Sequence, residues 1–213
     1  MPAARHHDPF TGLKKSHYGV LLVDPPWKFK TWSPKGKGRS ADRHYRTMNT
    51  ADIHDMPVGE LAAKDCVLLM WTTWPHLLDA LAVIEGWGFF YKTCGFVWVK
   101  VKANKPQIGN GYWTRANSEP CLLATRGHPR RLNRDVPQII AEPRREHSRK
   151  PDCIRKHIER LVAGPYLELF ARSRRRGWDC WGDELDKFSK KNAPRLGRGL
   201  RRTEGGGTAL LVR

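Results

Sequence analysis

Residues 18–27 read Tyr-Gly-Val-Leu-Leu-Val-Asp-Pro-Pro-Trp, an apolar run that ends in a carboxylate, two imino acids and an indole. The run at 20–23 predicts a buried strand. Pro25 and Pro26 cannot continue a hydrogen-bonded ladder, and each fixes its own φ. We therefore expect Asp24 at the carboxyl edge of a strand, held by a stiff loop, which is where open α/β sheets bind ligands.

The residues after this strand could bind a planar ring that carries an amino group. The Asp24 carboxylate and the Pro25 carbonyl are acceptors, and Trp27 offers a flat apolar face. Binding both amino hydrogens would draw the nitrogen out of conjugation and turn its lone pair toward an electrophile. A second interpretation is a strand that stops at a Pro-Pro turn, with Asp24 capping the backbone and Trp27 in the core. These four residues alone do not decide between the two.

Composition limits the class of protein. The chain has 213 residues, enough for one α/β domain, and its formal net charge is +18. So much positive charge favours a polyanionic partner or an anionic surface. Nine tryptophans supply many flat faces, most of which we expect in the core.

Cysteine usage and hydropathy indicate the compartment. The five cysteines are widely separated and contain no Cys-x-x-Cys pair, which favours neither a disulfide framework nor a metal site. The first 15 residues are polar and His-rich without a signal-peptide core, and no apolar run approaches bilayer length. We expect a soluble cytoplasmic protein that uses neither membrane nor metal.

The remaining patterns extend the α/β prediction. A strand at 66–71, a helix at 76–86 and a strand at 89–100 form a crossover unit, so the sheet should be at least partly parallel. Further strands are predicted at 119–125, 138–141 and 166–171, and a helix at 152–162. We divide the chain into a leader at 1–17, a folded domain at 18–186, and a disordered basic glycine-rich tail at 187–213. The tail would attract phosphates, or serve only solubility.

Long basic loops and one lysine are candidates for anion binding. The loops at 28–46, 102–115 and 126–134 are rich in Lys and Arg and could contact a phosphate backbone. Lys150 and Pro151 precede the predicted helix at 152–162. An ammonium beside the backbone N–H groups of a helix start could bind a carboxylate or a phosphate. The other interpretation of Lys150 is a surface lysine in a turn.

The Asp-Pro-Pro-Trp motif resembles the (Asp/Asn/Ser)-Pro-Pro-(aromatic) signature of amino-group methyltransferases that use S-adenosylmethionine. This form is similar to the MT-A family, which includes the catalytic subunit of the messenger-RNA adenosine methyltransferase and many bacterial and phage relatives. Further segments resemble the family in the same order: Trp71-Thr72, Trp98-Val99-Lys100, Gly111-Tyr112-Trp113, Glu119, His147-Ser148-Arg149-Lys150-Pro151, Glu168-Leu169-Phe170-Ala171-Arg172 and Gly182-Asp183-Glu184. The resemblance covers about residues 18–185.

The resemblance implies a fold, a cofactor and a set of site residues. The fold would be a Rossmann-like methyltransferase fold, a mostly parallel twisted sheet with helices on both faces, and the cofactor would be S-adenosylmethionine. The implied roles are catalytic for Asp24, Pro25, Pro26 and Trp27; substrate-binding for Tyr45, Trp98, Lys100, Tyr112, Trp113 and Glu119; and cofactor-binding for Lys150, Glu168, Arg172, Asp183 and Glu184. Asp183 departs from the family, which commonly has Asn there, so that ribose contact would lose a donor.

The implied reaction is methyl transfer to the 6-amino group of adenine in nucleic acid. The small basic chain resembles the bacterial or phage members, which favours DNA over RNA. Alternatives are an RNA adenosine methyltransferase, an inactive family member that only binds nucleic acid, an enzyme acting on cytosine or on a glutamine amide, and an electrostatic DNA-coating protein.

Overall fold

An eight-stranded sheet forms the frame of the protein. The computed structural model describes residues 8–28, 47–103, 105–109, 111, 113–146 and 149–185. Its strands and helices follow the order β1 (Tyr18–Val23), α1 (Thr50–His54), β2 (Ala62–Trp71), α2 (Leu77–Gly86), β3 (Phe90–Lys102), β4 (Lys105–Pro106), β5 (Ser118–Arg126), β6 (Ile139–Pro143), α3 (Cys153–Leu161), β7 (Tyr166–Leu169) and β8 (Trp178–Trp181). Short 3₁₀ turns occupy Val58–Glu60 and Trp74–His76.

The sheet is mixed, and the prediction of a mostly parallel sheet is wrong. The strand order is β4-β3-β5-β2-β1-β7-β8, with β6 pairing β3 beside that path. β1 is parallel to β2 and β7, β7 to β8, and β3 to β6, whereas β5 is antiparallel to both β2 and β3. The predicted crossover from β2 through α2 to β3 exists, but β5 is inserted between its two strands. That insertion introduces the antiparallel pairings.

β1 lies inside the sheet and is apolar on both faces. Leu21 and Val23 belong to one core cluster, with Ala80, Val83 and Ile84 of α2. Val20 and Leu22 belong to the other, with Ile154 and Ile158 of α3. Both faces of the strand are therefore covered, which is why its run of four apolar residues is continuous rather than alternating.

Several strands meet at one edge of the sheet, and this edge carries the candidate site. Val23 pairs with Met70 and Leu169, so the residues that follow β1, β2 and β7 emerge side by side. β5 starts at the same edge because it runs the other way, and its Cys121 pairs with Trp71. Asp24, Thr72 and Glu119 are thereby brought to neighbouring positions although they are far apart in the chain.

Part of the predicted leader packs on the domain. Phe10 is buried and meets Trp181 edge-on, with ring centroids 5.0 Å apart, and the Trp181 indole N–H donates to the Pro9 carbonyl at 3.0 Å. Residues 1–7, the 29–46 part of the first basic loop and the tail beyond 185 lie outside the described residues. None of the helices described is long and apolar enough to span a bilayer.

Candidate active site

The centre of the site is an ion pair between Asp24 and Lys150. The Lys150 ammonium donates to both Asp24 oxygens, at 2.8 and 2.9 Å. Asp24 directly follows β1, and Lys150 lies in the segment before α3, so the fold joins two residues 126 positions apart. The two side chains are only 19% and 15% exposed, so water screens the pair weakly. The anion next to Lys150, which the sequence leaves unidentified, is in this structure one of the protein's own carboxylates.

Glu119 and Lys100 extend the pair into a chain of alternating charges. Lys150 Nζ lies 3.5 Å from Glu119 Oε2, and Lys100 Nζ donates to Glu119 Oε1 at 2.5 Å. Glu119 is at the start of β5 and Lys100 near the end of β3, whereas Asp24 follows β1 and Lys150 precedes α3, so four separate segments supply the network. The order Asp24–Lys150–Glu119–Lys100 places each charge beside its opposite.

This alternation keeps the buried groups charged. Burial alone would raise the pKa of the Glu119 carboxyl, but the charges of Lys150 and Lys100 outweigh it and hold the pKa below its ordinary value. Burial alone would likewise lower the pKa of Lys150, but Asp24 and Glu119 outweigh it and the pKa is raised. The Glu119 carboxyl and the Lys150 amine are therefore both charged at neutral pH.

A groove opens from Asp24 toward β7 and α3. Its walls combine apolar and charged side chains, from Leu22, Asp24, Trp71, Arg149, Lys150, Pro151, Asp152, Ile154, Arg155, Glu168, Phe170, Arg172 and Ser173. Three of the residues predicted to bind cofactor, Lys150, Glu168 and Arg172, are thus brought to one surface. Glu184 lies close by, with an oxygen 3.5 Å from Arg172 Nε.

Glu168 has a partner that the sequence analysis did not identify. Arg155 of α3 forms a close ion pair with it through both Nε and a terminal guanidinium nitrogen. Burial raises the pKa of the Glu168 carboxyl above its ordinary value, even though Arg155 opposes this. The sequence feature that pointed to such a partner is a carboxylate within an apolar strand, because a buried charge needs a partner of opposite sign. That rule gives no indication of which arginine supplies it.

Trp27 lies deeper than a stacking surface requires. It is 4% exposed, its indole N–H donates to the Trp71 carbonyl at 3.3 Å, and His76 stacks on its ring at 5.6 Å between centroids. The Trp27 backbone N–H donates to the Pro25 carbonyl at 2.9 Å, which closes the Pro-Pro turn tightly. Trp27 therefore packs in the core and supports the loop that carries Asp24, which agrees with the interpretation of the motif as a Pro-Pro turn with a core tryptophan. Contact between Trp27 and a base stays a prediction.

Of the other residues predicted for the substrate, the structure describes Trp98 and Trp113, which differ in exposure. Trp98 is a core residue that is 2% exposed, and its indole N–H donates to the Glu142 carbonyl at 2.9 Å, so its contact with substrate stays a prediction. Alternation along β3 turns it inward, a fact that the motif alone does not reveal. Trp113, by contrast, is fully exposed. Tyr45 and Tyr112 lie outside the described residues.

Asp183 follows β8 and is exposed, next to the half-buried Glu184. Its predicted part in ribose binding stays a prediction. Trp71 also belongs to the site, although the sequence analysis named it only as part of a motif. Its ring makes a cation–π contact with Lys150, whose Nζ lies 5.7 Å from the ring centroid.

Comparison with known proteins adds independent findings. The family model described as MT-A70 matches residues 18–184. A type II methyltransferase, M.MunI, from a Mycoplasma species is 33% identical over 195 residues, covering 83% of this chain and 81% of that protein. An N(6)-adenosine-methyltransferase MT-A70-like protein of Arabidopsis thaliana is 31% identical over 79% of this chain and 24% of its own length. The human N(6)-adenine-specific methyltransferase METTL4 is 28% identical over 84% of this chain and 40% of its own length.

Proposed function

The chain belongs to the MT-A70 family, and from this premise we propose that it methylates the 6-amino group of adenine in nucleic acid, with DNA favoured over RNA. The observation that carries the proposal is the Asp24–Lys150 pair at the sheet edge, 2.8 Å apart and next to an open groove. Preference for DNA draws on M.MunI, a type II methyltransferase of which this chain spans about four fifths. The net charge of +18 suits a polyanion of either kind.

The groove fits the charges of S-adenosylmethionine. The amino-acid end of that cofactor is a zwitterion, and Lys150 with Asp24 offers one cation and one anion at the head of the groove. The Lys150 ammonium has three donor hydrogens, so it can bind the cofactor carboxylate while it keeps a contact with Asp24. We propose that Lys150 holds the carboxylate and that Arg172, Asp183 and Glu184 contact the ribose end. The cofactor, when bound, supplies an electrophilic methyl group.

The residues of the chain then orient and stabilise the attacking amine. Asp24 has more acceptor positions than its contact with Lys150 uses, so it can accept from the adenine amino group as well. Positive charge develops on that nitrogen during the transfer, and the fixed Asp24 carboxylate stabilises it. Removing one preorganised partner of this kind typically costs about 3–4 kcal/mol in the barrier. Lys150 holds the Asp24 carboxylate in position, and Glu119 in turn contacts Lys150.

The test is transfer of a radiolabelled methyl group from the cofactor to DNA, RNA and protein, followed by nucleoside analysis. We expect label in N6-methyladenine, with more in DNA than in RNA. Label in a cytosine or a glutamine derivative would contradict the assigned target. Cofactor binding without transfer to any of the three would identify the chain as an inactive member of its family.

A further inference from the structure

Trp74 is a large aromatic residue for which the proposed reaction has no use. It is 48% exposed, although burial of an indole is normally favourable. Its N–H donates to the Ser118 hydroxyl at 3.1 Å, so the polar end of the ring is anchored while much of the residue faces solvent.

The turn that carries Trp74 is held on both sides. Trp74 starts the 3₁₀ turn Trp74–His76, with Pro75 restricting its backbone. Before the turn, the Thr72 N–H donates to the Pro120 carbonyl at 3.0 Å, and at its end the His76 ring stacks on Trp27. The indole is therefore held in place before any ligand arrives, so that binding to it would cost little side-chain entropy.

Trp74 lies beside the site but away from the groove. Its anchor, Ser118, directly precedes Glu119 at the start of β5, while the groove extends from Asp24 toward β7 and α3. Neither Trp74 nor Ser118 lines the groove. A ligand on the indole would thus lie on the β2–β5 side of Asp24, leaving the cofactor groove clear.

The strand next to Ser118 brings positive charge to the same side. Ser118 pairs with Val99 of β3, and β3 then continues through Lys100 to Lys102, which faces Lys105 of β4. Lys102 and Lys105 are exposed. A flat aromatic face and exposed cations toward one edge of a sheet form a combination that can bind single-stranded nucleic acid, since bases stack on the ring while the cations attract phosphates.

We propose that Trp74 stacks on an unpaired nucleobase adjacent to the target adenine. This inference rests on the proposed function and deepens it, because it adds a contact for a flanking nucleotide. Stacking depends little on base identity, so Trp74 would hold the strand without selecting its sequence.

The test compares Trp74→Ala, Trp74→Phe and a control, Leu78→Ala, which removes an apolar side chain that is 80% exposed on nearby α2. The probe is a fluorescently labelled single-stranded DNA with one adenine, read by anisotropy. Trp74→Ala should weaken binding about five- to 150-fold. Trp74→Phe should retain most of the affinity, and Leu78→Ala should match the wild type. If Trp74→Ala lowers the melting temperature, Trp74→Leu replaces it, because leucine keeps apolar bulk without a flat ring.

A second DNA, with abasic sites on both sides of the adenine, separates stacking from other effects. With this DNA the wild type and Trp74→Ala should bind alike, because the neighbouring base is gone. An equal loss with intact and abasic DNA would overturn the proposal, and so would unchanged binding by Trp74→Ala. Methyl transfer by the wild type is measured alongside. Its absence would contradict the proposed function, whereas transfer together with binding insensitive to Trp74 would contradict only this inference.

Discussion

Replacing Lys150 by methionine tests whether the buried charges depend on one another. Methionine keeps most of the side-chain volume and removes the ammonium. Asp24 then loses the donor at 2.8 and 2.9 Å, and Glu119 keeps only Lys100, at 2.5 Å. We therefore expect Lys150→Met to lower both the stability of the fold and the affinity for cofactor.

The size of the effect follows from burial. Removing one partner of a buried ion pair typically costs about 3–5 kcal/mol. Because Asp24 and Lys150 retain 19% and 15% exposure, and Lys100 still neutralises Glu119, we take about 3 kcal/mol. At 2–4 °C per kcal/mol for a domain of this size, the melting temperature should fall by about 6–12 °C.

A double variant makes the test specific. Asp24→Asn combined with Lys150→Met removes both charges of the pair and leaves Glu119 with Lys100. We expect this double variant to be more stable than Lys150→Met alone, because no carboxylate is then left without a cation. Thermal unfolding followed by circular dichroism gives the stabilities, and calorimetry gives the cofactor affinity.

Two results would refute this reasoning. One is a Lys150→Met protein that melts within about 2 °C of the wild type. The other is a double variant destabilised by the full sum of its two single variants, which would mean that the charges act independently.

Three more substitutions give separate tests. The lowered pKa of Glu119 means that its contribution to stability is complete above its unfolded value of 4.5 and is lost as the pH falls through the folded value. In Glu119→Gln, the free energy of unfolding measured with urea should thus fall less steeply as the pH is lowered. An acid pH dependence equal to that of the wild type would contradict the lowered pKa. Arg126 donates to three main-chain carbonyls, at 2.5, 2.7 and 3.3 Å, so Arg126→Ala should reduce the free energy of unfolding by about 2 kcal/mol without changing cofactor affinity. A stability equal to that of the wild type would mean that these three hydrogen bonds do not stabilise the fold. Asp183→Asn supplies a donor for the ribose and should tighten cofactor binding roughly fivefold in calorimetry, whereas unchanged binding would remove Asp183 from the site.

The local features of the fold could be predicted from sequence because neighbouring residues determine them. The continuous apolar run at 20–23 predicts the buried part of β1, which spans Tyr18–Val23 in the structure, and the prolines place its end. The helix predicted at 76–86 begins one residue later, at Leu77, where apolar side chains recur at helical spacing.

The order and direction of the strands could not be predicted in the same way. Nothing within β5 itself specifies that it lies antiparallel between β2 and β3, since that depends on pairing between distant segments. For the site, the resemblance implied catalytic and cofactor-binding roles for Asp24 and Lys150, but only the folded chain shows their direct contact. The burial of Trp98 and the role of Arg155 were likewise not predictable, because each depends on which neighbour the tertiary structure supplies.

The central claim is that the Asp24 carboxylate presents the adenine amine to the methyl donor. The most direct measurement is the rate of radiolabelled methyl transfer to DNA by the wild type, Asp24→Ala and Asp24→Asn under saturating cofactor, with folding checked by circular dichroism. We expect both folded variants to lose about 100- to 1,000-fold in rate while the wild type forms N6-methyladenine. A folded Asp24→Ala protein that transfers methyl groups at the wild-type rate would contradict the account.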